Sequence, residues 1–202
     1  MRQSLLGLVT FFGLALIGGG ALAADSEELL GEMSLGSPDA PVTIVEHSSF
    51  TCDHCGYFYR NTLPKIKEAY IVTGKARFVF RDFPLDRMAL AVAMLPHCAG
   101  PNRYFDFVEI LFRGQESWLS TQNQIKALGQ RARLGGMSND DFEACLNRQD
   151  LAKAILDRRE ADAGRLGIES TPTFFVNGEK IVGARSFEEF ARVIDQALEK
   201  AK

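Results

Sequence analysis

Two cysteines separated by two residues, Cys52 and Cys55, are the residues of this sequence whose types and spacing point most directly to chemistry. Such a pair can alternate between a dithiol and a disulfide, and the thiolate is the nucleophile of that exchange. The pair stands where an apolar, β-branched run (residues 42–45) gives way to a helical pattern (residues 57–70). A sulfur at the start of a helix faces unpaired N–H groups and the positive end of the helix dipole, which favour the thiolate. We therefore expect a redox dithiol in which Cys52 attacks and Cys55 resolves.

Three ionisable residues close to this pair would tune its reactivity. His54 lies between the two sulfurs and adds positive charge when it is protonated, whereas Asp53 adds negative charge. Glu46 lies in a strand apolar enough to be central in a sheet, where a carboxyl group is costly to bury without a purpose. Two interpretations of Glu46 stay open: a buried acid that serves the site, or a side chain that points to solvent from the alternate face of the strand.

The elements around the pair are predicted in the order β, α, β, a helical block, β, β, α. Residues 41–48 and 76–83 are predicted strands, and the helix between them, 52–70, should be kinked by Pro64. The predicted helices of the block cover residues 88–99, 104–113, 121–134, 138–146 and 151–166. A strand–helix–strand unit followed by a hairpin and a helix indicates one mixed sheet with helices on its faces.

Capping and turn residues predict where these elements begin and end. The predicted helix-start signals are Thr121-x-x-Gln124, Ser138-x-x-Asp141, Asp150 and Ser186-x-x-Glu189. The dipeptide Asn177-Gly178 between two apolar runs predicts a β-hairpin, and a helix over 187–198 should follow it.

The N-terminal residues are typical of a secretory signal. Arg2 supplies the positive start, residues 5–17 are apolar, and small residues at 21–23 suit cleavage. The apolar run is too short for a transmembrane anchor. We therefore expect an exported protein, which would meet an oxidising compartment such as the periplasm, where disulfides persist.

Composition and charge suit a globular domain and argue against nucleic acid as a partner. The chain has 202 residues, of which 46% are hydrophobic, and its formal net charge is −3. That length allows a substantial core. Nucleic-acid-binding domains are usually basic, so the mildly acidic balance argues against that class.

The remaining two cysteines, Cys98 and Cys145, fall in the helical block. Because an exported chain meets oxidising conditions, we predict a structural disulfide between them. The alternatives are two separately buried free thiols and a redox relay with Cys52.

Metal binding is the rival chemistry for a chain with four cysteines and three histidines. The spacing lacks a second Cys-x-x-Cys or a histidine pair, so zinc is not indicated. Haem attachment needs a histidine directly after the second cysteine, where Gly56 stands. A copper site could be sketched from Met88, Met94, His97 and Cys98, but core packing explains the methionines. We expect no metal and no organic cofactor.

Together these features resemble the DsbA family of periplasmic thiol:disulfide oxidoreductases over about residues 42–198. The motifs that carry the resemblance are Phe50-x-Cys52-x-His54-Cys55, Glu46 six residues before Cys52, and Thr171-Pro172-Thr173-Phe174-Phe175-Val176-Asn177-Gly178. The resemblance implies an α/β thioredoxin fold with a large helical insertion between the strand–helix–strand unit and the C-terminal hairpin–helix unit. The expected division is a signal peptide at 1–23, an N-terminal arm at 24–41, a thioredoxin domain at 42–84 and 168–202, and an inserted helical domain at 85–167.

The same resemblance implies roles for individual residues beyond the two cysteines of the motif. Pro172 would be preceded by a cis peptide bond and packed against the disulfide, and Thr171 would offer backbone hydrogen bonds to a bound peptide. Glu46 would be the buried acid that shuttles a proton for Cys55, and His54 matches the family's histidine.

Two departures from the family bear on the reduction potential. Asp53 stands where the family often has proline, and it adds negative charge beside the thiolate. Thr171, the residue before Pro172, stands where the oxidases have a more apolar residue, and in this it is similar to the disulfide isomerases. We therefore expect a less extreme potential than that of the most oxidising members.

The implied function is donation of the Cys52–Cys55 disulfide to reduced secreted proteins, with re-oxidation by a DsbB-like membrane quinone reductase. The alternatives are a disulfide isomerase or reductase of the same fold, and a periplasmic chaperone or metallochaperone. The isomerases of this group dimerise through a long N-terminal domain, for which residues 24–41 are too few. We expect a monomer.

Overall fold

A five-stranded mixed sheet lies at the centre of the computed structural model, which describes residues 28–201. The expected signal peptide, 1–23, lies outside the described residues. The strands are β1 (Met33–Leu35), β2 (Val42–Ser48), β3 (Ala76–Asp82), β4 (Thr173–Val176) and β5 (Glu179–Val182). The α-helices are α1 (Asp53–Asn61), α2 (Leu63–Ile66), α3 (Arg87–Ala99), α4 (Tyr104–Arg113), α5 (Gln115–Leu119), α6 (Gln124–Leu134), α7 (Asn139–Leu146), α8 (Gln149–Leu166) and α9 (Phe187–Lys200).

Strand β2 occupies the middle of the sheet, whose order is β1-β3-β2-β4-β5. It runs parallel to β3 and antiparallel to β4, so both of its edges are hydrogen-bonded. The parallel pair requires a crossover, and α1 and α2 supply it. Helices α3 to α8 all lie between β3 and β4 in the chain. This is the thioredoxin fold with a helical insertion that the sequence predicts.

The segment expected as an N-terminal arm joins this sheet through β1. Strand β1 pairs antiparallel with β3, and the Arg77 side chain on β3 donates a hydrogen bond to Glu32 just before β1. The arm therefore covers the outer edge of β3, which would otherwise present unpaired backbone groups.

The helix predicted over 52–70 is divided by its proline, as expected. Helix α1 ends at Asn61, the Thr62 N–H still donates to Phe58 O at 2.9 Å, and Pro64 lies at the start of α2. Pro64 has no N–H to continue the hydrogen-bond ladder, so the chain starts a new helical turn. A π-helical turn, Lys67–Ile71, follows α2.

Two predicted helix starts in the insertion are wrong, and one is confirmed. Helix α6 is capped by Asn123, whose Oδ1 accepts from Lys126 N at 3.0 Å, rather than by a box from Thr121. Helix α8 begins at Gln149, so Asp150 lies in its first turn and does not cap it. Ser138 does cap α7. Helix α5 was not predicted, because five residues are too few to show a helical period.

The C-terminal hairpin and helix match their sequence signals. Asn177 and Gly178 both have positive φ, 45° and 91°, which is the backbone that a tight two-residue hairpin turn requires. The Asn177 side chain also accepts from Thr43 N at 2.8 Å, which ties the turn to β2. Helix α9 opens with a complete capping box made by Ser186 and Glu189.

Aromatic side chains join the sheet and the insertion into one core. Phe112 of α4 stacks on Phe50, with ring centroids 4.7 Å apart, and on Tyr59 at 4.9 Å. On the other side of α1, Phe58 packs against Phe174 at 4.5 Å and against Phe190 at 5.3 Å. Helix α1 is therefore held between the insertion and the sheet. No helix within residues 28–201 is both long and apolar enough to cross a bilayer.

A disulfide joins Cys98 at the end of α3 to Cys145 in α7, across a sequence separation of 47. The bridge closes a loop that contains most of the insertion. Closing such a loop stabilises a fold chiefly by restricting the unfolded chain.

We expect Cys98→Ala/Cys145→Ala to lower the free energy of unfolding by about 4 kcal/mol, the loop-closure value for 47 residues. Urea denaturation of the variant and the wild type would measure the difference. Cys98→Ala alone should lose a similar amount, because either substitution opens the loop. Equal unfolding midpoints would contradict a stabilising bridge.

Candidate active site

Cys52 lies at the N-cap of α1, at the end of the short loop that joins β2 to this helix. Its backbone is extended, with φ −84° and ψ 118°, and its Sγ accepts a hydrogen bond from Cys55 N at 3.3 Å. Cys52 and Cys55 are both free thiols in the structure, the first half-buried and the second buried. The exposed sulfur of the pair is thus the one that meets the unpaired N–H groups of the helix.

The Thr171–Pro172 segment lies directly against Cys52. Its peptide bond is cis, and the Cys52 thiol donates to Thr171 O at 3.3 Å. Pro172 O accepts from Gly183 N at 2.8 Å, which ties the segment to the end of β5. The Thr171 hydroxyl is buried and has no hydrogen-bond partner within residues 28–201, so it is free to donate to a thiolate.

These surroundings lower the pKa of Cys52 to about 6. Hydrogen bonding from the Cys55 side chain is the largest cause, and burial opposes it. The Thr171 side chain and the backbone N–H groups of Cys55 and His54 lower the pKa further. Near neutral pH the Cys52 sulfur is therefore mainly a thiolate.

The pKa of Cys55 moves the other way, well above its ordinary value. Burial is the largest cause, because a charged sulfur would lose its hydration. Its interaction with Cys52 and the negative charge of Glu46 add to the effect. The two sulfurs of one motif thus differ strongly in acidity.

Glu46 lies in the interior beside this pair, which excludes the interpretation that its side chain points to solvent. It is 0% exposed, and neither carboxyl oxygen has a hydrogen-bond partner within the described residues. Burial raises its pKa to about 8, the nearby Ser48 side chain opposes the rise, and the Cys52 charge adds to it. Near neutral pH Glu46 is therefore mainly a protonated acid that can give up its proton.

His54 and Asp53 are both exposed in the first turn of α1. His54 acts on Cys52 through its backbone N–H, one of the donors that lower the Cys52 pKa. This contribution belongs to the helix end and would be made by any residue with an N–H at that position.

The insertion supplies site residues that the sequence did not reveal. Gln115, the first residue of α5, is buried and donates to Phe50 O and Cys52 O, both at 2.9 Å. Thr51 donates to the Asp86 carboxylate at 2.7 Å, just before α3. The one sequence feature that could have indicated this contact is Gly56. Glycine is unfavourable inside a helix, and its presence there often marks a place where another group packs closely.

Two of the three histidines considered as metal ligands, His47 and His97, are paired with carboxylates. His47 Nε2 lies 3.1 Å from Asp162 Oδ2, and His97 Nε2 lies 2.8 Å from Asp82 Oδ2. Burial acts to raise the pKa of Asp162, but hydrogen bonds from His47 and Arg165 outweigh it and hold the pKa at about 2. Met94 is buried in the hydrophobic core. Across residues 28–201, no three His, Cys, Asp or Glu side chains group as metal ligands would.

Sequence comparison links the chain to a known family. A sequence model of the thioredoxin family matches residues 28–196. A Rickettsia felis relative, whose name assigns it to the protein-disulfide oxidoreductases, is 31% identical over 172 residues. That match covers 85% of this chain and 62% of the relative, so the chain spans less than two thirds of the relative's length.

Solved structures share the whole architecture. The crystal structure of Wolbachia pipientis alpha-DsbA1 is similar with a TM-score of 0.80 and 36% identity, over 88% of this chain and 97% of that one. Oxidised BdbD from Bacillus subtilis is similar with a TM-score of 0.75 and 25% identity, over 84% of this chain and 94% of that one. Both likenesses include the insertion as well as the sheet, because each covers more than four fifths of the chain.

We expect alkylation of the reduced protein to report a thiolate at Cys52 with a pKa of about 6, while Cys55 stays unreactive to far higher pH. The rate of iodoacetamide labelling against pH, with the labelled cysteine identified by mass spectrometry, measures both values. In Cys55→Ala the midpoint should rise, since the largest cause of the shift is removed. A midpoint near that of a free cysteine, about 8.5, would contradict the geometry described here.

We expect Glu46→Gln to raise the free energy of unfolding of the reduced protein, increasingly so as the pH rises from 4.5 to about 8. In that range the unfolded chain has released the Glu46 proton and the folded protein keeps it, so wild-type stability falls by up to about 1.4 kcal/mol per pH unit. Urea denaturation at both ends of the range measures the gain.

The matched control for this comparison is Glu160→Gln, a substitution of an exposed carboxyl on α8. It should show no such pH-dependent gain. A stability difference between Glu46→Gln and wild type that does not change with pH would mean that the Glu46 carboxyl titrates normally.

Proposed function

Because the chain belongs to the DsbA family of thioredoxin-fold proteins, we propose that it is a thiol:disulfide oxidoreductase that donates a Cys52–Cys55 disulfide to reduced exported proteins. The observation that carries the proposal is the unequal acidity of the two sulfurs. The pKa of Cys52 is about 6, whereas that of Cys55 is raised well above its ordinary value. A pair built this way favours the dithiol, with one sulfur held as a thiolate, and so gives its disulfide away.

In the first step a substrate thiolate attacks Cys52 Sγ of the disulfide, because Cys52 is the half-exposed sulfur. A new S–S bond forms between substrate and Cys52, the Cys52–Cys55 bond breaks, and its electron pair goes to the Cys55 sulfur. That sulfur is buried and poorly stabilised as an anion, so it takes a proton. Glu46 supplies it, since its carboxyl group is still protonated near neutral pH.

In the second step another thiolate of the substrate attacks the substrate sulfur of the mixed disulfide. Cys52 then leaves with the electron pair as a thiolate, and its low pKa makes it a good leaving group. The substrate has gained a disulfide, and the enzyme has gained two electrons and become the dithiol. No cofactor of the enzyme takes part in either step.

The Thr171–Pro172 segment receives the substrate chain in this proposal. Thr171 O lies 3.3 Å from Cys52 Sγ, so an extended peptide that pairs with the Thr171 backbone would carry its cysteine past the nucleophile. His54 contributes its backbone N–H to the thiolate, and its imidazole on the exposed side can add positive charge when it is protonated.

The same proposal includes the cellular location of the protein and its redox partner. The secretory pattern of residues 1–23 directs the protein to the periplasm, where reduced exported chains are the substrates. The reduced enzyme must be returned to the disulfide by an external oxidant, and a DsbB-like membrane quinone reductase fits that need. The enzyme works as a monomer, because a single chain carries both sulfurs and the peptide-binding segment.

Cys52→Ala should abolish oxidation of a reduced two-cysteine model peptide. In Cys55→Ala the Cys52 thiolate should attack glutathione disulfide, release glutathione thiolate and accumulate a mixed disulfide with glutathione that non-reducing mass spectrometry detects. The reason is that Cys52 is the half-exposed sulfur that exchanges, and without Cys55 no second sulfur of the enzyme's site displaces the glutathione. Cys98→Ala/Cys145→Ala serves as the control, and once folded it should oxidise the peptide as the wild type does. Retained activity in Cys52→Ala would refute the mechanism, and reshuffling of scrambled disulfides faster than oxidation would indicate an isomerase.

A further inference from the structure

The side chain of Gln115 reaches out of the insertion and holds the loop that carries the nucleophile. Its Nε2 group donates one hydrogen bond to Phe50 O and one to Cys52 O, both at 2.9 Å. The side chain is 1% exposed, so water does not compete for either bond. Both N–H groups of the amide therefore donate to backbone carbonyls, those of the residues directly before and after Thr51.

The orientation of this amide is fixed by its other end. Gln115 Oε1 accepts from Arg60 Nη1 at 3.3 Å, and the same Nη1 donates to Phe112 O at 2.9 Å. A guanidinium group only donates, so the oxygen of the amide must face Arg60 and the nitrogen must face the loop. The bridge thus runs from α4 and α1 through Gln115 to the nucleophile.

Gly56 provides the space in which the amide lies. A Cβ added at Gly56 would clash with Gln115 Oε1 and would lie 2.7 Å from Arg60 Nη1. Gly56 has no positive φ that would demand glycine, and glycine inside a helix is about 1 kcal/mol less favourable than alanine. The glycine directly after the Cys-x-x-Cys is therefore explained by the room that Gln115 needs.

We propose that Gln115 is a positioning residue for Cys52, by which the insertion holds the nucleophile in its thiolate-stabilising geometry. Cys52 O also accepts the first backbone hydrogen bond of the helix, from Gly56 N at 3.1 Å. Fixing that carbonyl and the one two residues earlier keeps Cys52 extended at the N-cap, where its sulfur meets Cys55 N. The role rests on the proposed redox function, but its physical effect is on the Cys52 thiolate and can be measured without any substrate.

The decisive variant is Gln115→Met, which keeps the volume of the side chain and removes both donors. We expect the pKa of Cys52 to rise by about half a unit or more, which lowers the thiolate-to-thiol ratio at a given pH about threefold. The equilibrium with glutathione should shift toward the protein disulfide by a similar factor, because the reduced form loses stabilisation. The pH profile of alkylation and the redox equilibrium measure the two effects.

The matched control is Gln124→Met on the same insertion. Gln124 Nε2 donates to Leu119 O at 2.9 Å, at the other end of the helix that Gln115 begins. This variant loosens the same helix but keeps both donors of the Gln115 amide, so it should leave the Cys52 pKa unchanged. Gly56→Ala tests the same bridge from the opposite side, since it must displace the Gln115 amide while favouring the helix. It should raise the Cys52 pKa as Gln115→Met does, and it keeps the test valid if Gln115→Met does not fold.

A Cys52 pKa that matches the wild type in folded Gln115→Met, or in Gly56→Ala where Gln115→Met does not fold, would overturn the assignment. So would an equal rise in Gln124→Met, because the effect would then be a general loosening of the insertion. The two proposals can fail separately. If the wild type does not oxidise peptides but Gln115→Met still raises the Cys52 pKa, the proposed function is overturned and the positioning role stands.

Discussion

Hydrogen bonding from Cys55 to Cys52 Sγ, which includes the bond from Cys55 N at 3.3 Å, is the interaction on which the chemistry of this protein depends. It exists because the chain leaves a central strand and starts a helix at Cys52, so the sulfur takes the place of a capping oxygen. The strand provides the rigid base, and the helix provides N–H groups that have no partner of their own. The sulfur about one turn later, that of Cys55, is buried instead, and its pKa is raised well above its ordinary value.

Burial raises the pKa of Cys52, Cys55 and Glu46 alike, but hydrogen bonds outweigh it only at Cys52. Cys52 is half-exposed and has donors around it, so its charged form is favoured. Cys55 and Glu46 lie below it in the core, and burial favours their neutral forms. The outcome is a surface sulfur that keeps its charge above a buried sulfur and a buried acid that keep their protons. In the proposed exchange the first electron pair goes to the buried sulfur, which takes a proton, and the second goes to Cys52, which keeps its charge.

The sequence predicts what is encoded locally, and misses what depends on the folded chain. Asn177-Gly178 and Ser138 predict the hairpin and the start of α7, because turn and cap geometry depend on a few neighbouring residues. Thr121 and Asn123 are both acceptable caps, and packing of the insertion selects Asn123. Gln115 meets Phe50 and Cys52 from more than sixty positions away, so no local pattern identifies it.

The insertion is part of the active site, because it restrains both segments that meet at the nucleophile. Gln115 and Asp86 hold the loop on the cysteine side. On the opposite side, Asp162 of α8 binds His47, whose backbone pairs with Thr173 directly after the cis-proline segment. The end of β2 that carries His47 and the loop that carries Cys52 thus share supports that come from the chain between β3 and β4. A thioredoxin core alone would contain the motif but would leave the Cys52 loop and the Thr171–Pro172 segment without these anchors.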